Sequence, residues 1–566
     1  MEYLKHYDEW RKNSYFDKEF IKELESIKDD QKEIQDRFYK DLEFGTGGMR
    51  GIIGAGRNRM NIYNVRKATQ GLANYINNLY GEKSSVVIAY DSRIMSKEFA
   101  MESALVLGAN GIKAYLFEDI RTTPELSFSV RELGAQGGIV ITASHNPSEY
   151  NGYKVYGADG GQLIPEFANK LVDEVSKIKN WSDIKYIDEF EALEMRLLNY
   201  VGKNIDKVYF DRVVELSINK DVFTKGKLKL LYTPLHGTGG YGVTSVYSML
   251  GYKIDTVKKQ MVADGNFPTV EYPNPEELKA FDLAIKMAKE NGHDIIIATD
   301  PDCDRVGIVV KGRDGEFVPL NGNQIGALLL NYILENKKVD DSYRMIKTIV
   351  TSDLGKAIAE DHGVETIDTL TGFKFIADKI EHFKDEKFLF GYEESYGYLY
   401  GDFVRDKDGI ITSMLVGEMA LYYAEKDKNL LEVLDGIYKK YGYYKEGLKS
   451  IVLKGKEGMD KIARIMEHFI AEDIKEVSGS TVLSKMDILN SKEYLYSNGK
   501  TEDIMLPKSK VVKYKLENNG WVAIRPSGTE PKLKIYASVN SDNLQSTEEK
   551  LNNIMNDFAE MIDKIE

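Results

Sequence analysis

Cysteine, histidine and proline are scarce in this chain of 566 residues, and each shortage excludes a class of protein. Cys303 is the single cysteine, so no disulfide can form within the chain, which suits a reducing compartment. The 7 histidines are scattered, which argues against a zinc site built from several histidines. With 12 prolines, 42% apolar residues and 29% charged residues, the composition is typical of a globular protein rather than a disordered or fibrous one.

Long apolar runs are also missing. No segment holds the roughly 18 uncharged apolar residues that span a bilayer, and the opening residues lack the apolar centre of a signal peptide. We therefore expect a cytosolic protein. Acidic residues outnumber basic ones by 90 to 76, and the net charge of −14 disfavours nucleic acid and anionic membranes as partners.

The pattern of apolar residues predicts an α/β fold class. Residues 1–40 show apolar positions at helical spacing, which indicates a helical outer layer. After Gly45, short β-branched runs alternate with helical stretches, as in parallel or mixed sheets covered by helices. The predicted strands are residues 85–90, 138–142, 227–232, 294–298, 345–350 and 387–390.

Polar loops follow these strands, and ligands of open α/β sheets bind at the carboxyl ends of strands. The loops read AYDSR, ITASHNP, YTPLHGTGG, ATDPDCDR, VTSDLG and FGYEES, and they fall into three consecutive pairs. We therefore predict three successive α/β domains at residues 1–205, 206–319 and 320–440. Residues 441–566 contain the strand candidate KLKIYASV and an amphipathic terminal helix, which indicates a fourth, α+β domain.

Three aspartates alternate in DPDCDR, directly after the apolar run DIIIA. In an extended chain, residues two apart face the same side, so the carboxylates of Asp300, Asp302 and Asp304 would converge. Converging carboxylates repel each other unless a hard divalent cation such as Mg²⁺ binds them. A calcium loop is excluded because Arg305 stands where glycine is needed. A solvated acidic turn is the alternative, since Asp and Pro are common in turns.

Ser144 lies in TASHNP, again at the end of an apolar run. Its hydroxyl could act as a nucleophile or phosphoryl carrier, or could merely cap a turn. The G-x-S-x-G elbow of hydrolases is absent because Thr142 and Asn146 occupy the glycine positions. A hydrolase triad therefore has little support.

Two further loops are suited to an anion. Residues 45–56, GTGGMRGIIGAG, place six glycines around Arg50, so backbone N–H groups and a guanidinium could approach a phosphate. The segment RPSGTEPK combines the guanidinium of Arg525 with hydroxyl and backbone donors. Each loop could instead be an ordinary turn.

A third glycine motif points to a different class of enzyme. Residues 237–242, GTGGYG, match the dinucleotide fingerprint G-x-G-x-x-G, which makes an NAD-dependent oxidoreductase an alternative. That fingerprint requires its first glycine directly after the strand. Here Pro234, Leu235 and His236 intervene.

Together these segments resemble the α-D-phosphohexomutase superfamily over most of the chain after residue 40. TASHNP is similar to its phosphoserine loop, DPDCDR to its magnesium loop, GYEESYG to its sugar-binding loop and RPSGTEPK to its last phosphate-binding loop. The length and the GYEESYG spelling most resemble the bacterial phosphoglucomutase branch related to animal phosphopentomutase. The resemblance implies four domains around a central cleft, and interconversion of glucose 1-phosphate and glucose 6-phosphate through a sugar bisphosphate.

The resemblance also implies roles for single residues. Ser144 would carry the phosphoryl group and bind Mg²⁺ together with Asp300, Asp302 and Asp304, and a sugar 1,6-bisphosphate would be the activator. Further implied catalytic residues are Arg50, His145, Lys154 and Arg305. Implied substrate-binding residues are Lys374, Glu393, Ser395, Lys407, Arg525, Ser527, Gly528 and Thr529. His145 and Lys154 are candidates for proton transfer at the substrate hydroxyl.

Two departures from the family pattern leave the substrate open. GYEES is longer than the spelling in many relatives and YLYGDF follows it, so mannose and pentose phosphates remain possible substrates beside glucose phosphates. The C-terminal domain is also longer than in compact phosphomannomutases, and neither its role nor the oligomeric state follows from the sequence. A non-catalytic protein that binds phosphosugars is a further alternative.

Overall fold

The computed structural model describes residues 2–45, 48–81, 83–453, 455–526 and 532–565. The chain divides into two compact units. The first unit contains Met1–Gly322, Phe373–Phe390 and Ser395–Asp427, and the second contains Asn323–Gly372, Gly391–Glu394 and Lys428–Glu566. Among the described residues, no helix is both long enough and apolar enough to cross a membrane.

The N-terminal layer of the first unit is helical, as predicted. Its helices are α1 (Glu2–Arg11), α2 (Lys18–Ser26) and α3 (Gln31–Phe38). Helices α2 and α3 begin where the side chains of Asp17 and Asp30 accept hydrogen bonds from backbone N–H groups of the first turn. Their apolar faces bury an aromatic cluster around Trp10, against which Tyr63 and Trp181 also pack.

A seven-stranded sheet forms the first large layer of the first unit. Its strands are β1 (Phe44–Gly45), β2 (Gly48–Ile52), β3 (Ser85–Tyr90), β4 (Lys113–Phe117), β5 (Gly137–Ile141), β6 (Tyr150–Gly157) and β7 (Leu198–Val201), in the order β1-β2-β6-β5-β3-β4-β7. The accompanying helices are α4 (Ile62–Tyr80), α5 (Ser96–Ala109), α6 (Thr123–Glu132), α7 (Pro165–Lys177), α8 (Glu189–Glu194) and α9 (Lys203–Glu215). Strands β5, β3, β4 and β7 are parallel, and β6 is antiparallel to β5.

Strand β5 shows why the sequence folds this way near the site. All of its residues, GGIVI, are buried. A Cβ at Gly138 would lie 2.8 Å from a methyl carbon of Val130 and 3.0 Å from one of Leu126, so the glycine allows α6 to pack closely on the sheet. The strand ends at Ile141, just before the TASHNP loop.

A five-stranded sheet forms the second layer of the same unit. Its strands are β8 (Leu230–Thr233), β9 (Asp255–Thr256), β10 (Ile295–Thr299), β11 (Val306–Lys311) and β12 (Phe317–Leu320), in the order β12-β11-β10-β8-β9. Helices α10 (Val222–Lys225), α11 (Gly239–Met249) and α12 (Asp282–Asn291) accompany it. Strand β10 is buried throughout, lies parallel to β8 and leads into the DPDCDR segment.

Residues 322–441 contribute to both units. Their helices are α13 (Gly322–Asn336), α14 (Leu354–Asp361), α15 (Phe373–Glu381), α16 (Gly409–Ala424) and α17 (Leu430–Tyr441). Their strands are β13 (Tyr343–Thr348), β14 (Glu365–Thr369), β15 (Lys387–Glu393) and β16 (Gly397–Tyr400). The parallel pair β13 and β14 lies in the second unit, whereas α15, β16 and α16 belong to the first.

The C-terminal part of the second unit is an antiparallel sheet with two helices, which confirms the predicted α+β class. Its strands are β17 (Tyr443–Val452), β18 (Glu476–Val477), β19 (Ser480–Asp487), β20 (Lys492–Leu495), β21 (Thr501–Asp503), β22 (Val512–Leu516), β23 (Trp521–Pro526) and β24 (Lys532–Ser541). Their order is β17-β24-β23-β22-β19-β20-β21, with β18 beside β19. Helices α18 (Gly455–Ala471) and α19 (Leu544–Asp563) supply apolar residues to its core.

The α/β fold class is confirmed, and each of the predicted strands is present. Strand β3 has the predicted bounds Ser85–Tyr90, and the other five differ in at least one bound. The two compact units are built from discontinuous segments and follow a different division of the chain. The bounds of the four predicted domains therefore stay a prediction.

Candidate active site

Ser144 lies just beyond β5, in a backbone conformation that residues with a side chain rarely adopt. Its φ is 52°, in the left-handed region, which costs on the order of 1–3 kcal/mol and persists only where surrounding contacts enforce it. The backbone N–H donates to Thr142 Oγ1 (2.8 Å). The hydroxyl donates to Asp300 Oδ2 (2.7 Å), so the buried serine side chain faces the aspartates of the DPDCDR segment.

The three aspartates converge, although not for the reason that the sequence suggested. One carboxylate oxygen from each of Asp300, Asp302 and Asp304 lies within 4.8 Å of the others, and all three residues are buried. The segment is a turn rather than an extended chain, and Cys303 has a φ of 58°. Asp300 Oδ1 closes the turn by accepting the N–H groups of Asp304 (3.1 Å) and Arg305 (3.0 Å).

Two lysines lie against this carboxylate cluster. Lys154 on β6 places Nζ 2.7 Å from Asp302 Oδ2 and 3.5 Å from Asp304 Oδ2. Lys407 Nζ lies 3.1 Å from Asp304 Oδ2. Thr123, at the start of α6, donates its hydroxyl to Asp302 Oδ2 (2.9 Å). These contacts balance part of the negative charge and orient two of the three carboxylates.

Two carboxylate oxygens in the cluster are left for another ligand. Oδ1 of Asp302 and Oδ1 of Asp304 are buried and accept no hydrogen bond from the described residues, and the cation nearest to Asp304 Oδ1 among the ion pairs is Arg305, with Nε 4.0 Å away. Buried polar atoms almost always have a partner, and carboxylate oxygens are preferred ligands of hard divalent cations. The donor set therefore fits a divalent metal ion, with Ser144 Oγ beside it.

The charges of the cluster shift its pKa values in opposite directions. Burial, followed by the neighbouring charges of Asp302 and Asp304, raises the pKa of Asp300 well above its usual value. Burial acts on Asp302 in the same sense, but the ammonium of Lys154 outweighs it and lowers the pKa of that carboxyl. Burial opposes the charged form of Lys154, yet Asp302 and Asp304 raise its pKa. Lys154 is therefore a fixed cation at neutral pH.

His145 differs from Lys154 in this respect. Its Nδ1 lies 3.3 Å from Ser144 Oγ. Burial, then the positive charges of Arg305 and Arg50, hold the pKa of His145 well below its usual value. Arg50 on β2 donates to Asn146 Oδ1 (2.9 Å), and Arg305 forms an ion pair with Glu276. The imidazole is therefore neutral near pH 7.

The remaining predicted site residues lie in both units or outside the described residues. Lys374 is in α15 of the first unit, where burial lowers its pKa to about 8, and Ser395 is half-buried in the same unit. In the second unit, Glu393 ends β15 and accepts the N–H of Gly372 (2.9 Å), and Arg525 is on β23. Ser527, Gly528 and Thr529 lie outside the described residues.

The glycines of the dinucleotide-like motif have a packing role. A Cβ at Gly237 would lie 2.3 Å from Pro301 Cα, and one at Gly239 would lie 2.8 Å from Cys303 Sγ. The N–H of Thr238 donates to the Pro301 carbonyl (2.8 Å). These glycines thus allow the start of α11 to pack closely against the aspartate turn. This packing role explains the glycine motif, and no nucleotide site is needed to explain it. Cys303 is buried beneath them, and burial raises the pKa of its thiol well above the usual value.

Residue types alone did not reveal several residues that shape this site. Arg93 follows β3 in the polar loop AYDSR and binds the backbone of the Ser144 loop. Thr123 holds Asp302, and Asp406 accepts the hydroxyl of Tyr156 (2.8 Å) and pairs with Lys407. The position of Arg93 after a strand was the only signal available, since threonine and aspartate are common in loops.

Four consecutive family domains match the chain. They are phosphoglucomutase/phosphomannomutase α/β/α domain I at residues 41–181, domain II at 207–315, domain III at 321–441 and the C-terminal domain at 454–559. Together they span most of the chain, in the family order.

Curated relatives agree with that match. A phosphoglucomutase from Staphylococcus epidermidis is 39% identical over 522 residues, which cover 92% of this chain and 94% of that protein. A phosphoglucomutase from Staphylococcus aureus is 39% identical over 529 residues, with the same coverage of both chains.

Solved structures share the fold. A phosphoglucomutase (pp63/parafusin) from Paramecium, in an open form, has a TM-score of 0.70 at 16% identity and covers 92% of this chain and 95% of its own. A phosphoglucomutase/phosphomannomutase family protein from Burkholderia thailandensis has a TM-score of 0.66 at 18% identity, with 92% and 97% covered. At these identities the likeness concerns the fold alone.

Proposed function

The chain belongs to the phosphoglucomutase/phosphomannomutase family, and from that premise we propose that it interconverts glucose 1-phosphate and glucose 6-phosphate through a phosphoserine at Ser144 and a sugar bisphosphate. One observation carries the proposal. The Ser144 hydroxyl is 2.7 Å from Asp300 in a buried cluster of three carboxylates, two of which keep an orphaned oxygen. A serine that merely caps a turn has no need of such surroundings.

Asp300, Asp302, Asp304 and Ser144 are proposed to hold Mg²⁺, since their oxygen donors suit a hard cation. When bound, Mg²⁺ would neutralise charge on the transferring phosphoryl group. A sugar 1,6-bisphosphate would phosphorylate resting Ser144 and so activate the enzyme. The Mg²⁺ assignment rests on the donor set and on the family, and the activator rests on the family alone.

In the proposed reaction, the phosphoserine P–O bond breaks as a bond forms between phosphorus and a hydroxyl oxygen of the sugar monophosphate. The hydroxyl proton leaves at the same time, and the released Ser144 oxygen takes up a proton, which restores the serine hydroxyl. His145 and Lys154 are the candidates for these proton transfers, because the neutral imidazole of His145 lies 3.3 Å from Ser144 Oγ, and Asp302 holds Lys154 protonated. Arg50, Arg305 and Lys407 add positive charge for the phosphoryl group.

The other family positions are proposed to bind the rest of the substrate. Glu393 and Ser395 would hold sugar hydroxyls. The phosphate that is not reacting would be held by Lys374, Arg525, Ser527, Gly528 and Thr529. We retain the four domains at residues 1–205, 206–319, 320–440 and 441–566, and a cytosolic location, as parts of this proposal.

Coupled assays with glucose, mannose and ribose phosphates test the substrate. We expect glucose 1-phosphate to be converted with the highest kcat/KM, in a reaction that needs Mg²⁺ and a trace of bisphosphate. A preference for mannose or ribose phosphate above about tenfold, or roughly 1.4 kcal/mol in the transition state, would replace the substrate but keep the family. Tight binding of phosphosugar without turnover would instead favour a non-catalytic binding protein.

Mass spectrometry tests the phosphoserine. After incubation with glucose 1,6-bisphosphate, the intact protein should gain one phosphoryl group, about 80 Da, that maps to TASHNP and disappears with excess monophosphate, as a covalent intermediate requires. Ser144→Ala should keep the fold and still bind phosphosugar, but lose almost all turnover. The matched control Ser176→Ala removes an exposed hydroxyl on α7 and should behave like the native protein. Phosphate on another residue would refute the mechanism.

A further inference from the structure

Arg93 places its guanidinium against the backbone of the loop that carries Ser144. Nη1 donates to the carbonyls of Pro147 (2.8 Å) and Tyr150 (3.0 Å). Nη2 donates to the carbonyl of Ser144 itself (2.5 Å) and to that of Asn146. One side chain thus binds three carbonyls of the loop between β5 and β6 and a fourth at Tyr150, where β6 begins.

Asp91 anchors this arginine. The carboxylate Oδ1 accepts the backbone N–H of Arg93 (2.9 Å) and the hydroxyl of Ser96 (2.7 Å). Asp91 Oδ2 lies 3.4 Å from Arg93 Nε, and both side chains are completely buried. The guanidinium charge is therefore balanced, and its orientation is fixed from behind by the end of β3.

This contact satisfies loop carbonyls that have no other partner, since the carbonyls of Ser144 and Asn146 accept no other hydrogen bond from the described residues. Buried carbonyls require partners, and an arginine with five donors in a planar fork can satisfy several at once. Within the loop itself, the N–H groups of Asn146 and Tyr150 donate to the carbonyls of Ala143 (3.2 Å) and Pro147 (3.1 Å). Without the guanidinium, the carbonyls would turn toward water, and Ser144 could leave its left-handed conformation and its bond to Asp300.

A segment from the layer of the five-stranded sheet covers the arginine. The ring centroid of Phe267 lies 5.0 Å from Arg93 Cζ, and Phe267 is buried with a φ of 47°. Gly265 packs directly against the backbone next to Arg93. A Cβ added at Gly265 would lie 2.5 Å from the backbone nitrogen of Ile94. The aromatic face thus excludes water from the guanidinium and attracts its charge.

His236 holds that segment at both ends. Its Nδ1 donates to the carbonyl of Val262 (2.8 Å), and its Nε2 lies 2.8 Å from the hydroxyl oxygen of Thr269. Gln260 also donates to Thr269 Oγ1 (3.0 Å). These hydrogen bonds therefore fix the position of the loop that carries Phe267.

We propose that Arg93 is a positioning residue for the nucleophile, which fixes the Ser144 loop through its carbonyls, and that Phe267 keeps Arg93 in place. This inference deepens the proposed function and rests on it for its kinetic consequence. Lysine cannot replace Arg93 in this role, because an ammonium is a single point with three donors and cannot span four carbonyls.

Amide hydrogen exchange of the full-length protein tests the positioning without relying on turnover. In Arg93→Lys, amides of residues 142–151 should exchange at least about tenfold faster than in the native protein, because buried hydrogen bonds are lost. Arg59→Lys is the matched control, since Arg59 is equally a buried arginine but binds Asp36 and Glu33 in the N-terminal layer. The control should leave exchange at 142–151 unchanged.

Kinetics then separate positioning from general loss of structure. Transfer of a phosphoryl group from glucose 1,6-bisphosphate to Ser144 should slow by on the order of a hundredfold in Arg93→Lys, because a small displacement of the nucleophile is costly. KM for glucose 1-phosphate should stay within about threefold, since binding groups elsewhere are untouched. Phe267→Leu should show a smaller loss, and adding it to Arg93→Lys should change little further, because both act through one contact.

The outcomes discriminate between the two proposals. The positioning role is overturned if the amides of residues 142–151 in Arg93→Lys exchange at the native rate. It is also overturned if phosphoryl transfer to Ser144 slows equally in Arg59→Lys. If the native protein shows no mutase activity but exchange rises as expected, the proposed function fails and the positioning role stands. If Arg93→Lys does not fold, Phe267→Leu decides: faster exchange at 142–151 supports the role, and native exchange refutes it.

Discussion

Asp302 divides its two carboxylate oxygens between the protein and another ligand. Oδ2 accepts hydrogen bonds from Lys154 and Thr123, while Oδ1 is buried with no hydrogen-bond partner among the described residues. A carboxylate held on one side by two donors has a fixed orientation, which leaves Oδ1 available to another ligand. This is the arrangement that orients a metal ligand.

Asp302→Asn should therefore weaken metal binding more than it changes the fold. The substitution removes one negative charge and can place an amide N–H, rather than an oxygen, toward the metal. We expect the Mg²⁺ concentration for half-maximal activity to rise and kcat/KM to fall by on the order of 10²–10³. A Mg²⁺ titration of activity measures both.

The control for this substitution is Asp314→Asn. Asp314 is exposed in a turn, where its Oδ1 accepts the N–H of Glu316 (3.1 Å). Loss of that carboxylate should leave the titration as in the native protein. An unchanged Mg²⁺ dependence in Asp302→Asn would refute the metal assignment.

At the scale of elements, the start of α11 supports the aspartate turn from beneath. A Cβ at Gly239 would lie 2.4 Å from Tyr232 Oη and 2.8 Å from both Cys303 Sγ and Thr299 Oγ1. Tyr232 and Thr299 share a hydrogen bond of 2.8 Å. The helix can approach the turn only without a side chain at this position.

Gly239→Ala should separate α11 from the turn. Overpacking of this kind lowers the free energy of unfolding by about 1–3 kcal/mol, and a displaced turn should also bind Mg²⁺ more weakly. Thermal melting and the Mg²⁺ titration measure the two effects. Gly436→Ala in α17 is the control, since no described atom outside the local helix backbone and the two neighbouring residues lies within 4 Å of the added Cβ, and alanine favours a helix. Native behaviour of Gly239→Ala would contradict the packing role.

Helix α6 begins with a buried acidic cap. The Thr122 hydroxyl oxygen accepts the N–H of Glu125 (3.2 Å), and Glu125 Oε2 accepts the N–H of Thr122 (3.3 Å). Burial, then the charge of Asp206, raises the pKa of Glu125 to about 7, and Arg121 opposes that rise. The folded protein therefore retains a proton that the unfolded chain loses at lower pH.

This cap predicts a pH dependence of stability. Because the pKa is raised on folding, the contribution of Glu125 is fully present below about pH 4.5 and is lost as the pH rises to about 7, at a cost on the order of 3 kcal/mol. Glu125→Gln keeps the capping oxygen but carries no charge. The melting temperature of Glu125→Gln relative to the native protein should therefore be higher at pH 8 than at pH 5. An equal difference at both pH values would contradict the buried charge.

At the scale of the whole molecule, the distribution of charge matters more than its sum. The chain carries a net charge of −14, yet the first unit places Arg50, Lys154, Arg305 and Lys407 around the Ser144 loop and the aspartates. An acidic protein can hold an anionic substrate only through such a local reversal.

The N-terminal layer adds stability through its aromatic cluster around Trp10. The Trp10 ring lies 4.8 Å from that of Phe16 and 5.2 Å from that of Trp181, measured between ring centroids. Removal of a buried aromatic side chain typically costs about 3–5 kcal/mol. Trp10→Ala should therefore lower the melting temperature while KM for phosphosugar stays native. Phe190→Ala is the control, because Phe190 is 70% exposed. An unchanged melting temperature for Trp10→Ala would show that the layer is not part of the core.

Local patterns in the sequence determined much of the fold and the chemistry of the site. Buried strands such as β5 and β10 are short apolar runs, and polar residues directly after them mark the sheet edge where ligands bind. Ser144 and the three aspartates were found in this way because the signal lies within a few neighbouring residues. The α/β class and the α+β C-terminal part follow from the same periodicity.

Only the tertiary structure decided how these residues meet. Ser144 and Asp300 are 156 positions apart, and Thr123 and Asp302 are 179 apart, so no local pattern records either hydrogen bond. The aspartates converge through a turn that is closed by Asp300, not through an extended strand. Arg93 binds backbone carbonyls, which every residue possesses, so its partners leave no trace in residue type. Side-chain identity supplied the chemistry, and long-range packing supplied the geometry.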